Sequence, residues 1–378
     1  MPMNNKITVA NKINTNEAIK IIEASVKKLI SQPSMSSKLP SILLRGAPGV
    51  GKSSIVRHVA DELGIGFVDV RLAQLERVDV AGLPSVKDGT TTWNVPSFWP
   101  RDPESKGIIF FDEITSAPAD VQTSAYSIIL DRKIPNSDYK IPDGWYIIAA
   151  GNRKEDHAVA KTMSSALANR FMHFDIEVNV DEWSEWAAHN DIHPSVTGYI
   201  RYRPMNLFKT ENEDLERGWP SPRSWERVSS IIPLFNDNED VLRDAVYGLI
   251  GPAVGTEFME FHRINAHFDD TLKLLTDPNA KIEIPEKSDK KYALCSAISY
   301  LLWNGADEAD ETARINGMYR IAMKMTPDFA TLLIKTCLCG NSKVDKLNAT
   351  IKLSKNPGYK EFAKKFSVEF CKKANLNA

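Results

Sequence analysis

Arg45-Gly46-Ala47-Pro48-Gly49-Val50-Gly51-Lys52-Ser53-Ser54 follows the apolar run Ser41-Ile42-Leu43-Leu44. It precedes Ile55-Val56-Arg57-His58-Val59-Ala60-Asp61-Glu62-Leu63, whose apolar residues recur at helical spacing until Gly64. The pattern G-x-x-x-x-G-K-[ST] between a strand and a helix predicts a phosphate-binding loop. Its glycines let backbone N–H groups turn inward around phosphates, and the helix N-terminus adds partial positive charge. Lys52 then reaches the β- and γ-phosphates, and the Ser53 hydroxyl faces Mg²⁺. Gly46 through Ser54 form the candidate nucleotide cradle. A chance match in a turn is the competing reading, and it would lack those flanks.

The chain has 378 residues, of which 43% are apolar and 25% charged, an ordinary globular composition sufficient for two or three domains. With 47 basic and 49 acidic residues the formal net charge is −2, which disfavours a general nucleic-acid or anionic-membrane surface. No apolar run approaches the roughly 20 residues of a membrane span. The start, Met1-Pro2-Met3-Asn4-Asn5-Lys6, lacks the apolar core of a signal peptide. A cytoplasmic chain with free thiols at Cys295, Cys337, Cys339 and Cys371 is the expectation.

Residues 1–14 are polar and expected to be frayed, with Thr15 or Asn16 capping a helix striped by Ala18, Ile22, Val26 and Leu29. After the phosphate loop and its helix, Gly66–Leu72 reads as a strand and residues 83–95 as a hairpin turning at Lys87-Asp88-Gly89. Asp79-Val80-Ala81-Gly82 mimics a GTPase D-x-x-G, but it precedes the acidic strand and no N-K-x-D accompanies it, so it reads as a turn.

Gly107-Ile108-Ile109-Phe110-Phe111-Asp112-Glu113 predicts a strand buried on both faces, ending in two carboxylates. Strand ends line the ligand crevice of an α/β sheet, so Asp112 suits holding Mg²⁺ and Glu113 suits polarising the attacking water. Residues 119–131 follow as a helix, and 133–144 as another hairpin or loop insertion. Trp145–Asn152 is a further buried strand, whose Asn152 could touch the γ-phosphate or the water; a capping Asn is the alternative. Met172–Ile176 is the last strand.

This alternation predicts an α/β fold, a doubly wound parallel sheet. From Asp181 the pattern turns helical, anchored by Trp183, Trp186, Tyr199, Trp219 and Trp225. Helical stripes continue past residue 252, and the tail from Lys346 is basic, a solvated face rather than a docking surface. Neither Cys337-x-Cys339 nor His189-Asn190-Asp191-Ile192-His193 carries the partners of a zinc site.

With these motifs in this order, residues 15–250 resemble an AAA+ ATPase, and within that superfamily the MoxR-type ATPase chaperones. The resemblance rests on G-A-P-G-V-G-K-S (46–53), I-I-F-F-D-E-I (108–114), A-A-G-N-R (149–153), L-A-N-R-F (167–171) and S-P-R-S-W-E (221–226). It implies Walker A at Lys52 and Ser53, Walker B at Asp112 and Glu113, and sensor 1 at Asn152. It also implies an arginine finger at Arg170 acting on a neighbour's nucleotide, and sensor 2 at Arg223 in a helical lid. Arg153 is a second candidate for the bridging arginine; a structural salt bridge is the competing role for each. The implied organisation is a P-loop AAA+ core at 1–178, a lid at 179–251 and a helical C-terminal region at 252–378. The implied activity is Mg²⁺-dependent ATP hydrolysis by a homo-hexameric ring that remodels a protein complex with a von Willebrand A domain partner. A nucleic-acid motor and a small-molecule P-loop kinase share the core. The neutral charge and missing DNA modules disfavour the first; Asp112-Glu113, Arg170 and the lid disfavour the second.

Overall fold

The computed structural model describes residues 11–153, 163–209, 217–265 and 268–373. The chain divides into two compact units, Met1–Asn179 and Val180–Ala378. The first contains β1 (Lys12–Ile13), α1 (Thr15–Ser31), β2 (Ser41–Arg45), α2 (Lys52–Glu62), β3 (Gly66–Arg71), α3 (Arg77–Ala81), β4 (Leu83–Lys87) and β5 (Thr90–Asn94). It continues with β6 (Gly107–Asp112), α4 (Ala119–Asp131), β7 (Trp145–Gly151), α5 (Ser165–Ala168) and β8 (Phe171–Ile176).

Six strands form one sheet in the order β1-β8-β2-β7-β6-β3, with every neighbouring pair parallel. A parallel sheet needs crossovers, and helices packed on both faces explain why β6 and β7 are apolar at successive positions. Leu43, Val70, Ile109, Phe111, Ile147 and Ala149 pack with Val121, Ala125 and Ile128 of α4. By strand alternation Ile42, Leu44, Ile108, Phe110 and Ile148 face the other way, the side on which α1 and α2 meet the sheet. Each such side chain, fully buried, contributes about 1.5–3 kcal/mol relative to exposure. The doubly wound expectation holds.

Two local expectations change, and one pair of alternatives is decided. The cap of α1 is Asn14, one residue earlier than read: its side chain accepts from Glu17 N at 2.8 Å while Glu17 Oε2 accepts from Asn14 N at 3.0 Å. That reciprocal pair satisfies two orphan donors at once, which neither Thr15 nor Asn16 could do inside the first turn. Within the stretch read as frayed, Lys12 and Ile13 pair with Asp175 and Ile176, since an edge of the parallel sheet recruits them. Of the two readings of residues 133–144, hairpin or loop insertion, the loop is the one present, with one isolated bridge, Lys133 to Lys140. Buried Arg132 holds it, donating to Pro142 O at 2.9 Å and Trp145 O at 2.7 Å. The hairpin read at 83–95 is present as β4 and β5, turning at Asp88-Gly89.

The second unit is helical: α6 (Val180–His189), α7 (Pro194–Tyr202), α8 (Pro222–Phe235), α9 (Glu239–Ile250), α10 (Pro252–Asn265) and α11 (Phe268–Thr276). Then come α12 (Ser288–Trp303), α13 (Glu308–Ala322), α14 (Pro327–Cys337), α15 (Lys346–Lys355) and α16 (Pro357–Lys373). Tyr199 and Trp225, both fully buried, meet Phe258 edge to face and tilt against each other. Among the described residues no helix is long and apolar enough to cross a membrane.

His193 caps α7 with its ring: Nδ1 accepts from Ser195 N at 3.2 Å, so a proton on Nδ1 would break the cap. Burial, with His262 5.8 Å away between ring centroids, lowers the His193 pKa from 6.5 to about 4. The unfolded chain therefore binds the extra proton between those values. The stabilisation is complete above about pH 6.5 and is lost as pH falls towards 4. His193→Asn retains a capping group and removes the titration. Between pH 7 and 4.5 its unfolding free energy should fall by about 2 kcal/mol less than that of wild type. Urea denaturation at the two pH values measures this, and equal losses would refute it.

Candidate nucleotide site

Three strands end together on one side of the sheet. β2 runs into the phosphate loop, β6 into Asp112 and Glu113, and β7 into Asn152, with Arg45 in register with Gly151. Gly49 and Gly51 adopt φ of 81° and 93°, the left-handed region that glycine enters without a Cβ penalty. Gly51 leads into α2, whose N-terminus has no side-chain cap. Uncapped amide donors at a helix start, curled over by glycines, are the chemistry an anionic phosphate chain requires.

Lys52 is buried at 8% exposure, and its ammonium bridges the loop to β7. Nζ donates to Gly46 O at 2.6 Å, Ala47 O at 3.0 Å and Asn152 Oδ1 at 3.2 Å. One cation thus gathers the loop and the predicted sensor. Ser53 Oγ donates to Asp112 Oδ2 at 2.7 Å, placing a hydroxyl and a carboxylate side by side, the hard oxygen set that suits Mg²⁺. The other Asp112 oxygen accepts from Glu113 N at 2.8 Å.

Glu113 has φ of 56°, a left-handed conformation that costs a non-glycine residue about 1–3 kcal/mol and is found where function demands it. Its carbonyl accepts from Ser116 N and Ala117 N at 2.9 and 3.2 Å, and these bonds hold the turn. Asp112 is thereby tied into the site and Glu113 is turned out of the strand line.

Asn152 is braced by a residue the sequence reading passed over. Thr115 Oγ1 accepts from Asn152 N at 3.0 Å and lies 3.4 Å from Asn152 O. A Cβ on Gly151 would lie 2.6 Å from Thr115 Cγ2, so only glycine lets the two approach. Thr115 follows the carboxylates by two positions in I-T-S, but nothing in the sequence shows its contact across 37 residues.

The structure does not bring Arg170 to this cluster. Arg170 immediately precedes Phe171, which pairs with Ser41 at the beginning of β2, whereas the loop follows Arg45 at its end. Five residues of strand separate the two ends, about 17 Å of rise. Arg170 is exposed, Arg153 half-buried beside Asn152 in sequence, and Arg223 exposed in the first turn of α8 in the second unit.

Sheet order, glycine loop and paired carboxylates give the first unit a P-loop nucleotide-binding fold of the AAA+ type. Residues 41–171 match the AAA domain (dynein-related subfamily). Midasin from Giardia intestinalis is 27% identical over 168 residues, 42% of this chain and 4% of that protein. Lon protease 2 from Borreliella burgdorferi is 29% identical over 107 residues, 28% of this chain and 13% of that protein. The chain therefore spans a small fraction of the length of either relative. Among solved structures, a RuvB point mutant from Thermotoga maritima is 20% identical, with a TM-score of 0.35, covering 70% of this chain and 78% of that one.

Lys52→Ala removes the ammonium that gathers the loop carbonyls and Asn152. Titration calorimetry with a non-hydrolysable ATP analogue should show affinity reduced by at least tenfold, since charge-assisted hydrogen bonds contribute about 1.5–3 kcal/mol each. Unchanged affinity would move the nucleotide site elsewhere.

Proposed function

We propose that this chain is a ring-forming ATPase that uses ATP hydrolysis to remodel or activate a protein complex. The observation that supports hydrolysis best is the convergence of Lys52, the Ser53–Asp112 pair, Glu113 and Asn152 at adjacent strand ends. In this reading the loop amides and Lys52 bind the β- and γ-phosphates, and Ser53 with Asp112 holds Mg²⁺. The metal, when bound, neutralises charge on the bridging phosphate oxygens. Glu113, turned out of the strand, orients and polarises the water that attacks phosphorus, so that the γ-phosphate leaves as inorganic phosphate and ADP remains. Asn152, held at both its amide N–H and its Oδ1, reports the γ-phosphate to the rest of the molecule.

Arg170 supports the ring. At the far end of the sheet from its own phosphate loop, its guanidinium cannot serve that loop. A finger supplied to a neighbouring subunit fits this placement, because forked hydrogen bonds stabilise the spreading charge of the transferring phosphoryl group. Arg223 would act as sensor 2 from a lid at 179–251, with Arg153 as a further subunit-bridging candidate. The C-terminal region at 252–378 would carry specificity. MoxR-type kinship, six subunits, a von Willebrand A domain partner and a cytoplasmic site of action complete the proposal. The kinship, ring size and partner rest on the resemblance carried by the motifs 46–53, 108–114, 149–153, 167–171 and 221–226.

Glu113→Gln should retain ATP binding and lose nearly all turnover. Arg170→Ala should retain binding to isolated subunits and lose on the order of 10³-fold in turnover. Mixing the two inactive variants creates junctions in which an intact Glu113 meets an intact Arg170 from the next subunit, and phosphate release should recover there. Full-rate hydrolysis by monomers isolated by size exclusion, or no recovery on mixing, would exclude the finger in trans.

A further inference from the structure

In the second unit, α6, α7, α12 and α14 border a partly open cavity of about 40 Å³ whose lining includes Ser184, Thr197, Arg201, Ser296, Ser299 and Thr336. Most of its hydroxyls are already engaged. Thr197 and Ser296 share a 2.8 Å bond, Ser296 donates to Pro194 O at 2.8 Å, and Thr336 donates to Leu332 O at 2.8 Å. Two groups are not. Ser184 is 2% exposed and its Oγ has no hydrogen-bond partner. Arg201 has a buried Nε without a partner, and no hydrogen bond or ion pair joins its guanidinium to any described residue.

The neighbouring acids do not neutralise it. Asp191 at the cavity wall accepts from Ser342 Oγ at 3.1 Å, and Asp181 pairs with Lys335 at 3.0 Å. The charge is nonetheless felt inside: burial pushes the Cys295 thiol up to about 12, and Arg201 pulls in the opposite direction on Cys295, Cys337 and Cys339. Arg201 is half-buried, but its Nε–H is buried without an acceptor, and leaving such a donor or a buried hydroxyl unpaired costs about 1–3 kcal/mol each. An anion accepting from both groups would relieve both costs together.

Size selects the anion. At about 10–15 Å³ for each water-sized group, 40 Å³ admits about three such groups. A carboxylate has three heavy atoms and accepts two parallel bonds from a guanidinium fork. We propose that this cavity is a carboxylate-binding site, with Arg201 clamping the two oxygens and Ser184 donating a further hydrogen bond.

The test uses the full chain, with formate as ligand and methanesulfonate at equal ionic strength as the bulkier control. Formate should raise the thermal midpoint by several degrees over methanesulfonate in a saturable manner. It should also shift the Nε–H resonance of Arg201. Arg201→Gln should abolish the formate-specific rise. Ser184→Ala removes a hydroxyl that bonds to nothing, so the midpoint without formate should be unchanged or higher, while formate binding weakens about tenfold. Competition by N-acetylglutamate amide would assign the site to a carboxylate side chain, and competition by acetate alone to a small free acid. Equal responses to the two anions, or a full formate response in both variants, would overturn the proposal.

Discussion

The site depends on strand ends that finish level. β2 lies between β7 and β8, and β7 between β2 and β6, all parallel, so Arg45, Gly151 and Asp112 reach the same side of the sheet within about a residue. A slip of one residue in any of these pairings would turn its buried side chains to the other face and carry its functional group out of reach. The apolar runs 42–44, 108–111 and 146–150 are therefore more than core. Their burial holds the register, and the register places Lys52 Nζ 3.2 Å from Asn152 Oδ1 and Ser53 Oγ 2.7 Å from Asp112 Oδ2.

Two backbone irregularities carry as much of the geometry as the side chains. Gly51 in a left-handed conformation allows the chain to leave the loop and enter α2 within one residue. Glu113 adopts a similar φ without glycine's freedom, and the strain is held by hydrogen bonds from Ser116 and Ala117 to its carbonyl. Relaxing that turn would return Glu113 towards the strand direction. The tight approach of Gly151 to Thr115 fixes the neighbouring position, so the carboxylate turn and the sensor strand form one braced unit.

Much of this was legible in the sequence because the signals are local. G-A-P-G-V-G-K-S names its own conformation, and G-I-I-F-F-D-E names a buried strand with polar ends. The turn Asp88-Gly89 closes a hairpin within a few residues, as its composition predicts. What was not legible depends on partners distant in the chain. Asn14 and not Thr15 caps α1 because Glu17 answers it. Lys12 and Ile13 become ordered because β8 offers an edge 163 residues away at Asp175 and Ile176. Composition leaves residues 133–144 open between a hairpin and a loop insertion, and the loop is present because Arg132, tied to carbonyls on both sides of Gly144, holds it without a strand ladder. Thr115 has no local signature, since its role exists only once β6 and β7 are adjacent.

The placement of Arg170 follows from the same topology and constrains how hydrolysis could be controlled. A parallel sheet sends every strand in one direction, so a residue just before β8 lies at the end from which β2 starts. No rotamer spans the length of a strand. An arginine there is either a local surface group or a group offered to another molecule, and its exposure permits the second role. If a neighbouring copy presents its phosphate loop to that end, each site would be built from two chains. The braced Asn152 and strained Glu113 would then await a charge from outside, and hydrolysis would become a property of the junction rather than of the subunit.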